Sequence, residues 1–296
     1  MNTASLLRLL CLSAIWGASF PLMRHGVPAL GAGWMSFCRI GLGALFLCAV
    51  AWRLGRALDW RAHWRHYLFL GLFNTALPFV LIGVAARTLP SSMLAILNAT
   101  APTWATLIGA AMAGGGLAPT RLAGLGCGVL GVTLIAGVES LHLPAGAPLA
   151  IAASLGAALS YGVSSVYAKS ARAVEPVANA SGSLWAATAF ALLMALSAPL
   201  PAALPGPTVL AGVLALGVLC SGLAYLLYFR LVADVGAASA LTVTFLVPVF
   251  GMLWGVVFLG ERIGWHTVAG SGLVLVGTGL VTGFRLPWPA RAERGN

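Results

Sequence analysis

Charge is what this sequence has least of. Of 296 residues, 7% are charged and 60% are hydrophobic. A soluble domain carries about 25% charged residues to cover its surface. This chain cannot do that, and its mean hydropathy of +0.98 implies an outer surface that faces something other than water. A single soluble core able to hide all these apolar runs would be larger than one domain builds.

Acid is missing from the places where an ion-coupled pump needs it. Asp59, Glu139, Glu175, Asp234, Glu261 and Glu293 all sit near the ends of apolar segments or between them. So do His25, His63, His66, His142 and His266. Proton pumps and cation antiporters use a titratable group inside the membrane. Its absence from the mid-segments favours movement of a substrate down its own gradient. Na⁺ bound by carbonyls alone, or Glu261 reaching inward, stays open as the alternative. Cys11, Cys38, Cys48, Cys127 and Cys220 lie inside apolar runs, with neither disulfide nor metal-ligand spacing, and read as small hydrophobes. No metal site and no cofactor is expected.

What the chain does have is long apolar segments. A helix needs about 20 apolar residues to cross the hydrocarbon. Ten segments qualify: 6–23, 32–52, 67–86, 91–113, 121–138, 147–168, 180–200, 209–231, 237–259 and 265–284. The expected fold is an all-α membrane protein. The opening segment could pass for a signal peptide, but its apolar stretch runs on to Met23 and recurs along the chain, so it reads as a retained span. The connector from Arg53 to His66 suits an amphipathic interfacial helix with Trp60 and Trp64 on one side.

Basic residues set the orientation, because cytoplasmic loops carry an excess of Lys and Arg. With the N-terminus inside, 12 basic residues fall on cytoplasmic sides and three (Arg24, Arg87 and Arg262) outside. Both termini are therefore expected in the cytoplasm. The net charge of +10 is a matter of topology, and no nucleic-acid partner is inferred.

The chain also resembles itself. At a shift of 146, Asn98-Ala-Thr-Ala-Pro102 falls on Thr244-Phe-Leu-Val-Pro248, Gly71 on Gly217, and Gly109 on Gly255. Gly124, Gly126, Gly131 and Gly137 fall on Gly270, Gly272, Gly277 and Gly283. At 145, Trp16-Gly17-Ala-Ser19 meets Tyr161-Gly162-Val-Ser164, and Arg24 meets Lys169. Each half holds five segments, an odd number, so the second half enters the membrane inverted. Residues 1–140 and 146–296 are expected to form two inverted five-helix repeats around a central cavity. Such repeats let two halves exchange conformations and open alternately to each side.

Several stretches resemble the drug/metabolite transporter superfamily, in its ten-helix EamA-type branch. These are Ala14-Ile-Trp16-Gly17-Ala-Ser19-Phe20-Pro21 at the start, the Arg39-containing second segment, the paired Pro helices, and Gly255-Val-Val-Phe-Leu-Gly260-Glu261-Arg262 before a Gly-rich last segment. The resemblance covers the whole chain and is nearest to bacterial aromatic amino-acid exporters. It implies a multi-pass protein of a bacterial-type inner membrane, in contact with lipid. Its helices would form a basket around the cavity, with the fifth and tenth packed away from it. Only the resemblance implies amino acids as the small-molecule cargo.

Candidate cavity residues follow from depth, polarity and aromatic character. Pro102 and Pro248 each free the carbonyl four residues earlier; these carbonyls belong to Asn98 and Thr244, themselves polar. The pair suits a substrate ammonium, a hinge, or both. Asn74 and Pro78 form a similar pair. Trp16, Phe20, Trp104, Tyr161, Tyr225 and Tyr228 offer aromatic walls; Ser165 shares a helix face with Tyr161, and Ser221 with Tyr225. The same aromatics would suit lipid-facing positions or the interfacial belt, least so the repeat-aligned Trp16 and Tyr161. Arg39 lies about 10 Å into its helix, at about 1.5 Å per residue. It suits a substrate carboxylate, but snorkelling or a bond to a neighbouring carbonyl is the plainer reading. Gly124 with Gly128, and Gly279 with Gly283, are GxxxG pairs for close helix packing; beyond them nothing suggests a dimer, and a monomer is expected. An intramembrane phosphatase or transferase would need a cluster of His, Asp or Ser with basic partners, which the segments lack. The expected activity is non-enzymatic export of neutral amino acids or, in the broader alternative, of other amphipathic small molecules.

Overall fold

The computed structural model describes residues 3–114, 117–139, 146–171, 174–201, 203–240 and 242–283. Among these residues the chain is all helix and connector, without strands. The helices are α1 (Thr3–Arg53), α2 (Trp60–Leu70), α3 (Leu77–Ala85), α4 (Ser91–Asn98), α5 (Ala101–Met112), α6 (Pro119–Glu139) and α7 (Ala147–Ser170). They continue as α8 (Pro176–Leu196), α9 (Pro207–Leu214), α10 (Ala224–Val235), α11 (Ala237–Ala240), α12 (Val243–Leu259) and α13 (Trp265–Thr282). Two π-helical stretches, Gly71–Ala76 and Ala215–Leu223, join α2 to α3 and α9 to α10. Six continuous helical stretches are long and apolar enough to cross a membrane, and shorter apolar helices accompany them.

The first two expected segments appear as one helix of 51 residues. Straight, it would run about 76 Å at about 1.5 Å per residue, more than twice the roughly 30 Å of hydrocarbon. It is not straight. Gly31 takes φ 75° and ψ 161°, a region open mainly to glycine. Beyond it, the Met35 thioether comes back against Gly26. The chain folds into a hairpin at one residue.

Glycine lets the helices meet backbone to backbone, and it does so in matched pairs. A Cβ on Gly17 of α1 would lie 2.7 Å from Phe250 Cβ and 2.9 Å from Gly251 N, on α12. A Cβ on Gly162 of α7 would lie 2.7 Å from Trp104 Cβ and 2.9 Å from Ala105 N, on α5. The two contacts join residues that the sequence shifts already pair. Gly71 packs on Ala186 and Ala187 of α8, and its counterpart Gly217 on Leu42 of α1. In α6 and α13, Gly124 meets the Gly277 carbonyl and Gly131 the Gly270 carbonyl, so these helices cross antiparallel. Gly128 contacts Gly277 as well, but a Cβ on Gly279 would meet nothing, and Gly283 is the left-handed residue that ends α13. The expected pairing of the two helices is present, with Gly270 and Gly277 in place of Gly279 and Gly283.

Other expectations shift locally. The helix expected to lie in the interface begins only at Trp60 and runs straight on into the next apolar stretch. The expected interruption by Pro102 is a turn at Ala99 and Thr100, with Pro102 in the first turn of α5. Pro248 instead sits inside an unbroken α12. The connector centred on Leu143, Arg172 and the basic C-terminal tail lie outside the described residues.

Candidate functional site

At the centre of the bundle, four helical elements converge on Arg39. It is 5% exposed. Its Nε donates to Ser221 Oγ at 3.1 Å, and its guanidinium lies 3.7 Å from the Phe79 ring centroid. It does not snorkel, and among the described residues its side chain binds no carbonyl; its partners come from α3 and from the π-helical stretch before α10. Among the described residues no carboxylate pairs with it. A buried unpaired charge costs several kcal/mol. A desolvated cation–π contact offsets about 2 kcal/mol of this, and a charged hydrogen bond about 1.5–3 kcal/mol.

Around Arg39 stand several of the expected cavity residues. Tyr161 and Tyr225 are its electrostatic neighbours. Tyr225 in turn lies beside Thr75 and Asn74. Asn74 Oδ1 accepts from Ser164 Oγ at 3.0 Å. Tyr161 and Tyr225 are half-buried.

The π-helical stretches help build this centre. A π turn displaces carbonyls from the regular ladder. Here those carbonyls take donors from across the bundle. Phe73 O accepts from Ser160 Oγ at 2.7 Å, and Cys220 O accepts from Trp16 Nε1 at 3.2 Å. Trp16 also packs on Tyr228, with centroids 5.7 Å apart. Ser19 and Ser164 bond back to Trp16 O and Tyr161 O, at 2.6 and 2.9 Å. The aligned Trp16 and Tyr161 thus occupy equivalent local settings.

The structure joins Trp16, Asn74, Tyr161, Ser221 and Tyr225 into this cluster. It places the remaining expected residues elsewhere. Phe20 is 4% exposed in the main apolar core, against Gly251. Pro78 and Pro248 are buried within α3 and α12. Asn98 ends α4 with its Oδ1 buried and without a hydrogen-bond partner. Beside it, Ala99 O accepts from Thr278 of α13 at 3.2 Å, so the last helix supports this break. Pro102 and Thr244 are half-buried. Ser165 is exposed, and no hydrogen bond of its side chain is seen among the described residues. Thr75, Phe79 and Arg39 complete the centre and were not among the expected cavity residues; Ser164, quoted in the repeat alignment, was the available signal.

The ends of the bundle are held by charge. Glu261 accepts from the backbone N–H groups of Ser91 and Ser92, at 2.6 and 3.1 Å. It caps the start of α4, where free amides and the helix dipole favour an anion. Arg24 Nε lies 3.8 Å from Glu261, and its Nη1 donates to the carbonyls of Ala86 and Leu89. A cavity of about 370 Å³ opens there. At the other end of these helices His66 bridges Tyr167 Oη at 3.2 Å and Asn179 Oδ1 at 3.1 Å, beside a cavity of about 200 Å³. Glu175 caps α8, and Asp234 pairs with Arg8 and Arg230. These three acids are therefore engaged in holding helices.

The chain is similar along its length to known proteins. It is 25% identical over 290 residues to an uncharacterized transporter of Archaeoglobus fulgidus, covering 95% of this chain and 98% of the relative. It is 23% identical over 276 residues to the uncharacterized transporter YoaV of Bacillus subtilis (92% and 94% covered), and 24% identical over 287 residues to YvbV of the same organism (95% and 92%). A solved crystal structure with 18% identity superposes with a TM-score of 0.64 over 95% of this chain and 97% of that one. The sequence model of the EamA-like transporter family matches residues 3–137 and 148–283. A multi-pass helical protein with apolar helices of membrane-spanning length, matched over nearly all its residues, this chain belongs to the EamA-like transporter family.

Proposed function

We propose that this transporter exports neutral amino acids, aromatic ones included, across a bacterial-type inner membrane by uncoupled alternating access. Ten helices cross the membrane as two inverted five-helix repeats, residues 1–140 and 146–296, with both termini in the cytoplasm. The substrate passes through a central site formed by Trp16, Asn74, Tyr161, Ser221 and Tyr225, and reaches it past Asn98, Pro102 and Thr244. The observation that carries this reading is the half-buried aromatic pair Tyr161 and Tyr225 among polar groups. Aromatic walls with few, placed polar groups suit an amphipathic ligand. The matched glycine contacts support two inverted halves. The structural duties of Glu175, Asp234 and Glu261 support flux without an acidic proton carrier.

The test is uptake of labelled phenylalanine and threonine into proteoliposomes, with and without an imposed pH or Na⁺ gradient. Flux without a gradient, competed by other amino acids, is expected. Flux only under a gradient overturns uncoupled transport. Flux of other amphipathic molecules but of no amino acid overturns the cargo.

A further inference from the structure

Arg39 has more hydrogen-bonding capacity than the protein uses. A guanidinium carries five N–H donors in a fixed fork. One, on Nε, is engaged by Ser221. The two terminal nitrogens make no hydrogen bond among the described residues. Neither belongs to the fully buried polar atoms that lack a partner, so each keeps some accessible surface. Phe79 covers the plane of the guanidinium at 3.7 Å. A plane held by a ring, with Nε anchored, leaves the terminal edge pre-oriented. That edge matches both oxygens of a carboxylate.

The neighbours suit the rest of such a ligand. Tyr161 and Tyr225 are near enough to Arg39 to act on it electrostatically, and both are half-buried. Among the described residues, no acid competes for the guanidinium. A charge kept in the membrane interior without a counter-ion is a functional signal. We infer that Arg39 binds the carboxylate of the transported molecule through its two terminal nitrogens, and that the site selects small amphipathic carboxylates over their uncharged amides. This deepens the transport reading by adding a residue to the cavity and naming the group it holds. It rests on the chain being a transporter with a central site, and it does not require an amino acid.

The experiment compares matched ligands on the purified full-length protein in detergent, by isothermal titration calorimetry. The probes are 3-phenylpropionate, 3-phenylpropionamide and L-phenylalanine. The wild type is expected to bind 3-phenylpropionate at least about tenfold more tightly than the amide, one charged hydrogen-bonded pair's worth of discrimination. Arg39→Gln is expected to remove that preference, and Arg39→Lys to keep part of it. Should Arg39→Gln fail to fold, the wild-type comparison of acid with amide decides. Equal affinity for acid and amide in the wild type, or binding of neither at millimolar concentration, overturns the assignment. Binding of 3-phenylpropionate with no binding or flux of L-phenylalanine rejects amino acids as cargo and leaves the Arg39 assignment standing.

Discussion

The starts of α4 and of α11–α12 are related by the 146-residue shift, and the protein treats them differently. Ser91 to Leu97 are buried on every side, and Glu261 caps the helix while Arg24 holds the flanking carbonyls. At the related place α11 is four residues long, and Gly236 and Ser239 are exposed. Lys169, the counterpart of Arg24, is exposed and pairs with no carboxylate among the described residues. The position matching Glu261 is Gly115. Similar sequence therefore stands in two packings, and one acid without a twin caps the more deeply buried one.

The largest effects are expected where the two halves agree. Gly17→Leu and Gly162→Leu each push a side chain into a facing backbone, and overpacking of this kind costs about 1–3 kcal/mol or more. Both should lower the yield of monodisperse protein on a sizing column, and to a similar degree. A large loss for one and none for the other would break the equivalence of the halves.

Next comes the feature that the halves do not share. Glu261→Ala removes the cap of α4, worth about 1 kcal/mol, together with the Arg24 pair. With the five native cysteines replaced, Ser92→Cys should resist a membrane-impermeant maleimide and become reactive once Glu261 is removed. Labelling that is unchanged by Glu261→Ala would show that the burial of Ser92 does not depend on this acid.

Asn98→Leu and Thr244→Leu should each cut transport about tenfold, the worth of one hydrogen bond to a ligand, with the protein still folded. Wild-type rates in both would remove the paired polar sites from the pathway. Ser165→Ala should matter least, with a rate within about twofold of wild type, as for an exposed side chain without partners; a larger loss would return Ser165 to the central site.

The helices were legible because bilayer thickness fixes segment length and composition marks it. The glycine contacts were legible in part. The shift paired Gly17 with Gly162, but which GxxxG faces a partner depends on helix rotation, and Gly279 in the end faces nothing. Both π stretches escaped, since an extra residue in a turn leaves no compositional trace. At the site, the sequence identified Trp16, Tyr161 and Tyr225 by type and depth. The surroundings of Arg39 were not legible, because Phe79 and Ser221 arrive from distant parts of the chain.

The mating of α6 with α13 also imposes an order on synthesis. α6 exposes a glycine ridge, and the helix that covers it is the last of the described elements. More than a hundred residues separate Glu139 from Trp265; at about 5–20 residues per second they take roughly 6 to 25 s to make. Until then the nascent chain holds a helix with an uncovered ridge in lipid. A chain cut before Trp265 would carry every central residue named here and still leave that ridge bare, a mark by which quality control could tell it from the finished protein.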